Sequence, residues 1–192
     1  MITEYRDLAT PKLRAMLAAL APAQRRAMLA RLGKELEVRL KRHFLARDQE
    51  GNARGWPRSH WWAREVRDKT ALRAWDDRSA TVGIASRPFA FRLSGGTIRP
   101  GPGRRLLAIP LRAEAAGVLP RAGTIPGLFF KRLAGGRMYL AARDGQALRV
   151  YWRLVPAVTL PADPRALPPL AELQAALEAR AAREVQRILQ QP

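Results

Sequence analysis

The sequence predicts an α+β protein, a mostly antiparallel β-sheet bracketed by a long N-terminal helix pair and a C-terminal helix. Three patterns carry that expectation. Apolar residues recur at helical spacing as far as Leu45, short apolar runs divided by turn residues replace them between Ser79 and Leu160, and helical spacing returns after Pro169. A chain of 192 residues fits a single domain, 1–192, and can bury a core. Within it, 10–47 is the helical N-terminal part, 79–160 the β-rich core with a basic loop at 94–105, and 169–190 the C-terminal helix.

Thr10 followed by Pro11 reads as an N-cap with proline at the first helical position. Leu13, Leu17 and Leu20 then repeat along one face, and Ala21-Pro22 breaks the chain and starts a second helix. There Met28, Leu32, Leu36, Leu40 and Phe44 recur every four residues, opposite Arg25, Arg26, Arg31, Lys34, Arg39, Lys41 and Arg42. The apolar stripe needs a sheet or a second subunit to pack on, and the basic face reads as solvated surface, with a polyanion contact as the alternative. Residues 46–59 form a turn-rich connection and 60–66 a short helix. Indole rings bury large areas, so Trp56, Trp61 and Trp62, with Phe44, are candidates for core or a subunit interface. With Trp75 they crowd four tryptophans into a short stretch, and the alternative is a stacking surface for single-stranded nucleic acid.

Short strands are expected at 81–84, 89–93, 106–111, 128–133, 138–142 and 148–155. Gly135-Gly136 and Asp144-Gly145 supply hairpin turns between the last three. Pro110 inside its run marks an edge strand or a bulge, because it has no N–H for a central ladder. Residues 113–124 form a long excursion, and 161–169 a proline-rich linker. Leu170, Leu173, Leu177, Ala181, Val185 and Ile188 then mark the terminal helix.

The net charge is +19 and unevenly spread. Residues 81–153 hold 13 Lys/Arg against only Glu114 and Asp144, whereas residues 154–192 are neutral. Such a field draws polyanions or acidic surfaces. Nearly all the cations are arginine, which suits bidentate pairing with phosphate or carboxylate, although a genome rich in G and C yields the same bias. Cysteine is absent, excluding disulfides, thiolate metal sites and a cysteine nucleophile. No run has the length of a membrane span and no secretory signal pattern opens the chain, so a soluble protein made in the cytoplasm is expected.

Catalytic chemistry finds little support. His43 and His60 lack further ligands at metal-binding spacing. Ser59, Ser79, Ser86 and Ser94 lie in no nucleophile motif. Asp68 and the Asp76-Asp77 pair read as a polar turn rather than a two-metal centre. The Gly/Pro-rich loop 95–105 lacks the Gly-Lys-Ser/Thr ending of a phosphate loop. No catalytic residue, metal or cofactor is therefore expected. The loop carries Arg99, Arg104 and Arg105 and no acid, which makes these three the candidate contact to a partner protein or to phosphate.

The same stretch carries a resemblance. Gly95-Gly96-Thr97-Ile98-Arg99-Pro100 followed by Leu107-Ala108-Ile109-Pro110-Leu111 resembles the central motif of the phage virion morphogenesis family, the tail-completion proteins of Mu-like phages. Residues 44–59, with Phe44, Gly51 and Trp56-Pro57, resemble that family's segment after its long first helix. Pro126-Gly127-Leu128-Phe129 and residues 154–167 continue the series, so the likeness spans roughly 25–170. One departure is the extra Asn52-Ala53-Arg54-Gly55 between the acidic-Gly turn and Trp56. The resemblance implies a non-enzymatic structural protein acting in tail completion or head–tail joining, at the neck of a virion assembled in the host cytoplasm. It further implies other head, neck or tail proteins as partners, a homo-oligomeric ring, nonspecific contact with DNA and no membrane. A sequence-nonspecific nucleic-acid-binding protein acting off the virion is the alternative; a nuclease or peptidoglycan hydrolase is disfavoured by the scarcity of acids.

Overall fold

In a computed structural model the described residues are 3–5, 18, 20–52 and 54–190. They group into two compact units. The first draws on the described residues within 1–51, 60–94 and 162–192, the second on 52–59 and 95–161.

The first unit is built on helix α1, Pro22–Gln49. Pro22 occupies its first turn, and the Ala21 N–H donates to Gln24 Oε1 at 3.0 Å. Its stripe is buried as expected: Met28, Leu32, Leu36, Leu40 and Phe44 are each at most 4% exposed. The stripe faces a three-stranded antiparallel sheet of order β1-β3-β2, from Thr3–Tyr5 (β1), Thr70–Trp75 (β2) and Ala80–Ile84 (β3). The expected helix over 10–20 lies largely outside the described residues, so α1 stands as the single long N-terminal helix among them.

Two contacts fix α1 on this sheet. Gly33 is buried so closely that an added Cβ would sit 2.5 Å from Leu72 Cδ1 and 3.1 Å from Ala80 Cβ. One turn further, the buried Glu37 carboxylate accepts from Lys41 at 2.6 Å, from Lys34 at 2.9 Å and from the Leu72 N–H at 3.2 Å. Leu72 adjoins a bulge in β2, so a helix side chain satisfies a strand donor where the ladder is irregular. Burial pushes the Glu37 carboxyl up, yet the bonds from Lys41, Lys34 and Leu72 outweigh it and hold the group at about 2.

Helix α2, Arg87–Ser94, replaces the strand expected at 89–93. Phe89, Phe91 and Leu93 alternate in sequence, but Ser86 Oγ accepts from the Phe89 N–H at 3.3 Å and starts a helix containing Pro88. Phe89 and Leu93 then fall one turn apart on the core face. Helix α3, Leu170–Leu189, buries Leu173, Leu177 and Ala181 in the same core. Its buried Glu184 receives Arg31 of α1 at 2.7 Å, together with Arg180 and Arg187 of its own helix.

The second unit holds the remaining strands, in two antiparallel groups rather than one continuous sheet with the first unit's strands. Gly96–Ile98 (β4) pairs with Val158–Leu160 (β9). Leu107–Pro110 (β5), Phe129–Arg132 (β6), Met138–Asp144 (β7) and Ala147–Val155 (β8) form a sheet of order β5-β8-β7-β6. Gly135, Gly136 and Gly145 take positive φ in the connections of the expected hairpins. Pro110 lies on the edge strand β5, the position its missing donor demands.

Gly33→Ala is expected to destabilise the protein by about 1–3 kcal/mol, the clash outweighing alanine's helix propensity, read as a lower midpoint in urea. For Glu37 the folded pKa lies below the ordinary 4.5, so its contribution is complete above about 4.5 and disappears as pH falls towards 2. Glu37→Gln should therefore cost up to about 3 kcal/mol at neutral pH, and the gap to the wild type should close near pH 2.

Candidate partner-binding surfaces

The aromatic candidates separate between the units. In the first, Asp48 in the last turn of α1 organises the segment that carries the tryptophans. Its Oδ2 lies 2.9 Å from His60 Nδ1, and its Oδ1 accepts the Ala63 N–H at 3.1 Å. Burial raises the Asp48 carboxyl, but the hydrogen bonds from His60 and from the backbone at Ala63 and Trp62 bring it below the ordinary range. This anchoring holds His60 at φ +52° and opens a π-helical turn over Trp62–Arg67, where the Asp68 N–H reaches back to Ala63 O. Trp62 thereby stacks on Phe44 at 6.2 Å and meets Phe89 edge-on at 6.3 Å; Trp61 meets Trp62 edge-on at 5.0 Å. Phe44 is fully buried, Trp62 is 9% exposed and Trp61 is half-buried against the same core.

Arginines cover the outer side of these rings. Arg47 lies 4.9 Å from the Trp62 ring centre, and Arg92 lies 5.2 Å from that of Trp61. Asp163 pairs with both guanidinium groups, at 3.0 and 3.7 Å. Trp56 belongs to the second unit, where it is half-buried with Arg54 stacked 4.7 Å from its ring centre. Trp75 is 45% exposed on β2. The four tryptophans thus form no common surface within either unit.

Arg99, Arg104 and Arg105 are all exposed in the second unit, and none makes an ion pair among the described residues. The loop expected over 94–105 begins as strand β4, because Gly96, Thr97 and Ile98 pair with β9 and the Thr97 and Thr159 hydroxyls meet at 2.9 Å. Beyond it, the Arg104 N–H donates to Gly101 O at 3.1 Å, with Pro102 and Gly103 at the centre of the turn and Gly103 at φ +72°. Proline followed by a residue of positive φ is the type II arrangement. It displays Arg104 and Arg105 directly after a rigid corner.

Charge pairing divides in the same way. The first unit neutralises most of its cations internally, through Glu35, Glu37, Glu50, Glu65, Asp77, Asp163 and Glu184. The second unit holds 13 Lys/Arg against Glu114 and Asp144, and its one ion pair among the described residues is Arg149–Asp144 at 2.5 Å. Its apolar side chains are equally unfinished. Among the described residues Trp152 is its one fully buried large side chain, while Leu119, Phe130, Leu133 and Leu148 stay 39–66% exposed. Burial also keeps the Trp152 ring from stacking on any ligand, and Arg112 lies 6.0 Å from the Tyr151 ring centre.

The polar residues singled out for chemistry are engaged structurally. Asp76 Oδ1 accepts the N–H groups of Arg78 and Ser79, which hold its carboxyl below the usual range, and Asp77 pairs with Arg25. Asp68 pairs with Arg67, and His43 Nε2 lies 3.1 Å from Arg165 O. Among the described residues no three His, Asp or Glu side chains gather as metal ligands, and no helix is long and apolar enough to cross a membrane. No protein-family model, curated protein or solved structure matches this chain.

Trp62→Ala is expected to cost about 3–5 kcal/mol and lower the melting temperature sharply, since three rings and Arg47 pack on it. The triple change of Arg99, Arg104 and Arg105 to Ala should shift stability by no more than about 0.5 kcal/mol, as expected for exposed residues without partners.

Proposed function

We propose that the protein is a non-enzymatic structural subunit of a phage particle, acting in tail completion or in joining a tail to its head. Two things support this reading: the series of motifs between residues 44 and 167, and the character of the second unit. That unit leaves large apolar side chains exposed and also carries an arginine turn with no ion pair among the described residues. A surface of this kind is completed by neighbours, and the observation that carries the proposal is the unmatched charge of this unit, whose 13 Lys/Arg share one ion pair among the described residues. Copies of the chain would contribute through head-to-tail contacts that close a ring, with other head, neck or tail proteins above and below it. Arg99, Arg104 and Arg105 would meet carboxylates or phosphates of the neighbour as bidentate donors. The first unit, with its own aromatic core, would serve as the rigid mount.

A second reading, nucleic-acid binding away from the virion, draws on the same unpaired charge. Gene disruption separates the two. Filled heads beside unattached tails in negative-stain micrographs of the lysate are the expected result. Particles of normal form and infectivity would overturn the assembly role and leave the second reading in possession. Complementation with the triple Ala variant at 99, 104 and 105 should restore folded protein without restoring head–tail joining.

A further inference from the structure

We infer that one face of the four-stranded sheet binds the phosphodiester backbone of nucleic acid, through a row of Lys131, Tyr139 and Arg153 with Arg143 further along β7. Strand register makes the row. Lys131 on β6 lies opposite Tyr139 on β7, and Tyr139 lies opposite Arg153 on β8. Residues directly opposite share a face, so the two cations flank the tyrosine about 10 Å apart across two strand spacings. The irregularity between the strands adds Tyr151 to β8 and leaves the alternation of β7 intact. Arg143 therefore shares this face with Tyr139, about 14 Å along the strand, with the buried Ala141 between them. The other face carries Leu140 and the buried Trp152, opposite one another and opposite Pro110.

Lys131, Arg143 and Arg153 are exposed and make no ion pair among the described residues, and Tyr139 is half-buried between its neighbours. The occupant follows from charge. A second copy of this unit would bring like charge against like. A folded acidic partner engages one patch and needs an apolar centre depleted of charge. Nucleic acid instead offers a phosphate every 1.7 Å of duplex, so it can engage cations spread over several strands without sequence readout. This inference rests on neither role above; it names a site that either could use.

The test uses the full chain and a fluorescently labelled short DNA duplex in two unrelated sequences, with affinity measured across salt concentration. The wild type should bind both alike, with log K falling steeply as log salt rises. Joint replacement of Lys131, Arg143 and Arg153 by Thr should reduce the slope by about 3 and weaken binding tenfold or more at about 0.1 M salt. Replacing Arg26, Arg42 and Arg183, exposed and unpaired in the first unit, removes the same charge and should change affinity by no more than about twofold. Equal losses in both triple variants would overturn the site, since net charge alone would then explain binding. Poly-glutamate binding as tightly as the duplex, or no binding by the wild type, would overturn it too. If the sheet variant loses its cooperative melt, Lys131→Gln and Arg153→Gln alone should each lower the slope by about 1, and unchanged slopes would again reject the row.

Discussion

The close seating of α1 on the β2–β3 hairpin is the constraint from which the first unit follows. Gly33 sets the distance, because only a residue without Cβ lets the helix backbone come down against Leu72 and Ala80. That approach puts Glu37 within reach of the Leu72 N–H, and a carboxylate buried there must be met by Lys34 and Lys41 from the helix itself. At the far end of the same helix, Phe44 and Asp48 receive Trp62 and the turn that carries it. A shift of α1 along the sheet would break all of these together. They are separate chemistries, steric, ionic and aromatic, held in one register.

The second unit obeys a different economy. Its sheet alternates as an antiparallel sheet should, yet among the described residues Trp152 is its one fully buried large side chain, and Arg149–Asp144 is the one ion pair that relieves its like charges. A short antiparallel sheet gains stability from a covered face, so exposed Phe130 and Leu133 beside Lys131 and Arg132 weaken the isolated module.

Legibility in the sequence tracked how local each determinant is. The stripe from Met28 to Phe44, the Pro22 start, the glycine turns around β7 and the terminal helix announce themselves within a few residues, and the structure has them. Phe89 to Leu93 misled because two-residue and four-residue spacings coincide in so short a run; the Ser86 cap and contact with Phe44 decided for helix. β2 was missed because Thr70–Trp75 mixes Arg73 with apolar residues, and its pairing with β3 is settled across a bulge. β9 was missed because three residues beside prolines carry no period of their own. The exposed arginines of the loop could be named from composition. The row of Lys131, Tyr139 and Arg153 could not, since strand register brings those residues together across a distance in sequence.

The first unit is discontinuous: residues 95–161 build another unit before the chain returns with Asp163 and α3. Asp163 then clamps Arg47 and Arg92 over the tryptophans, and Glu184 gathers Arg31, so these arginines wait for partners synthesised after the second unit. During translation the intervening module can close as soon as residue 161 emerges, whereas the first unit stays open until α3 has followed. A stretch made before the second unit is thus completed only after it.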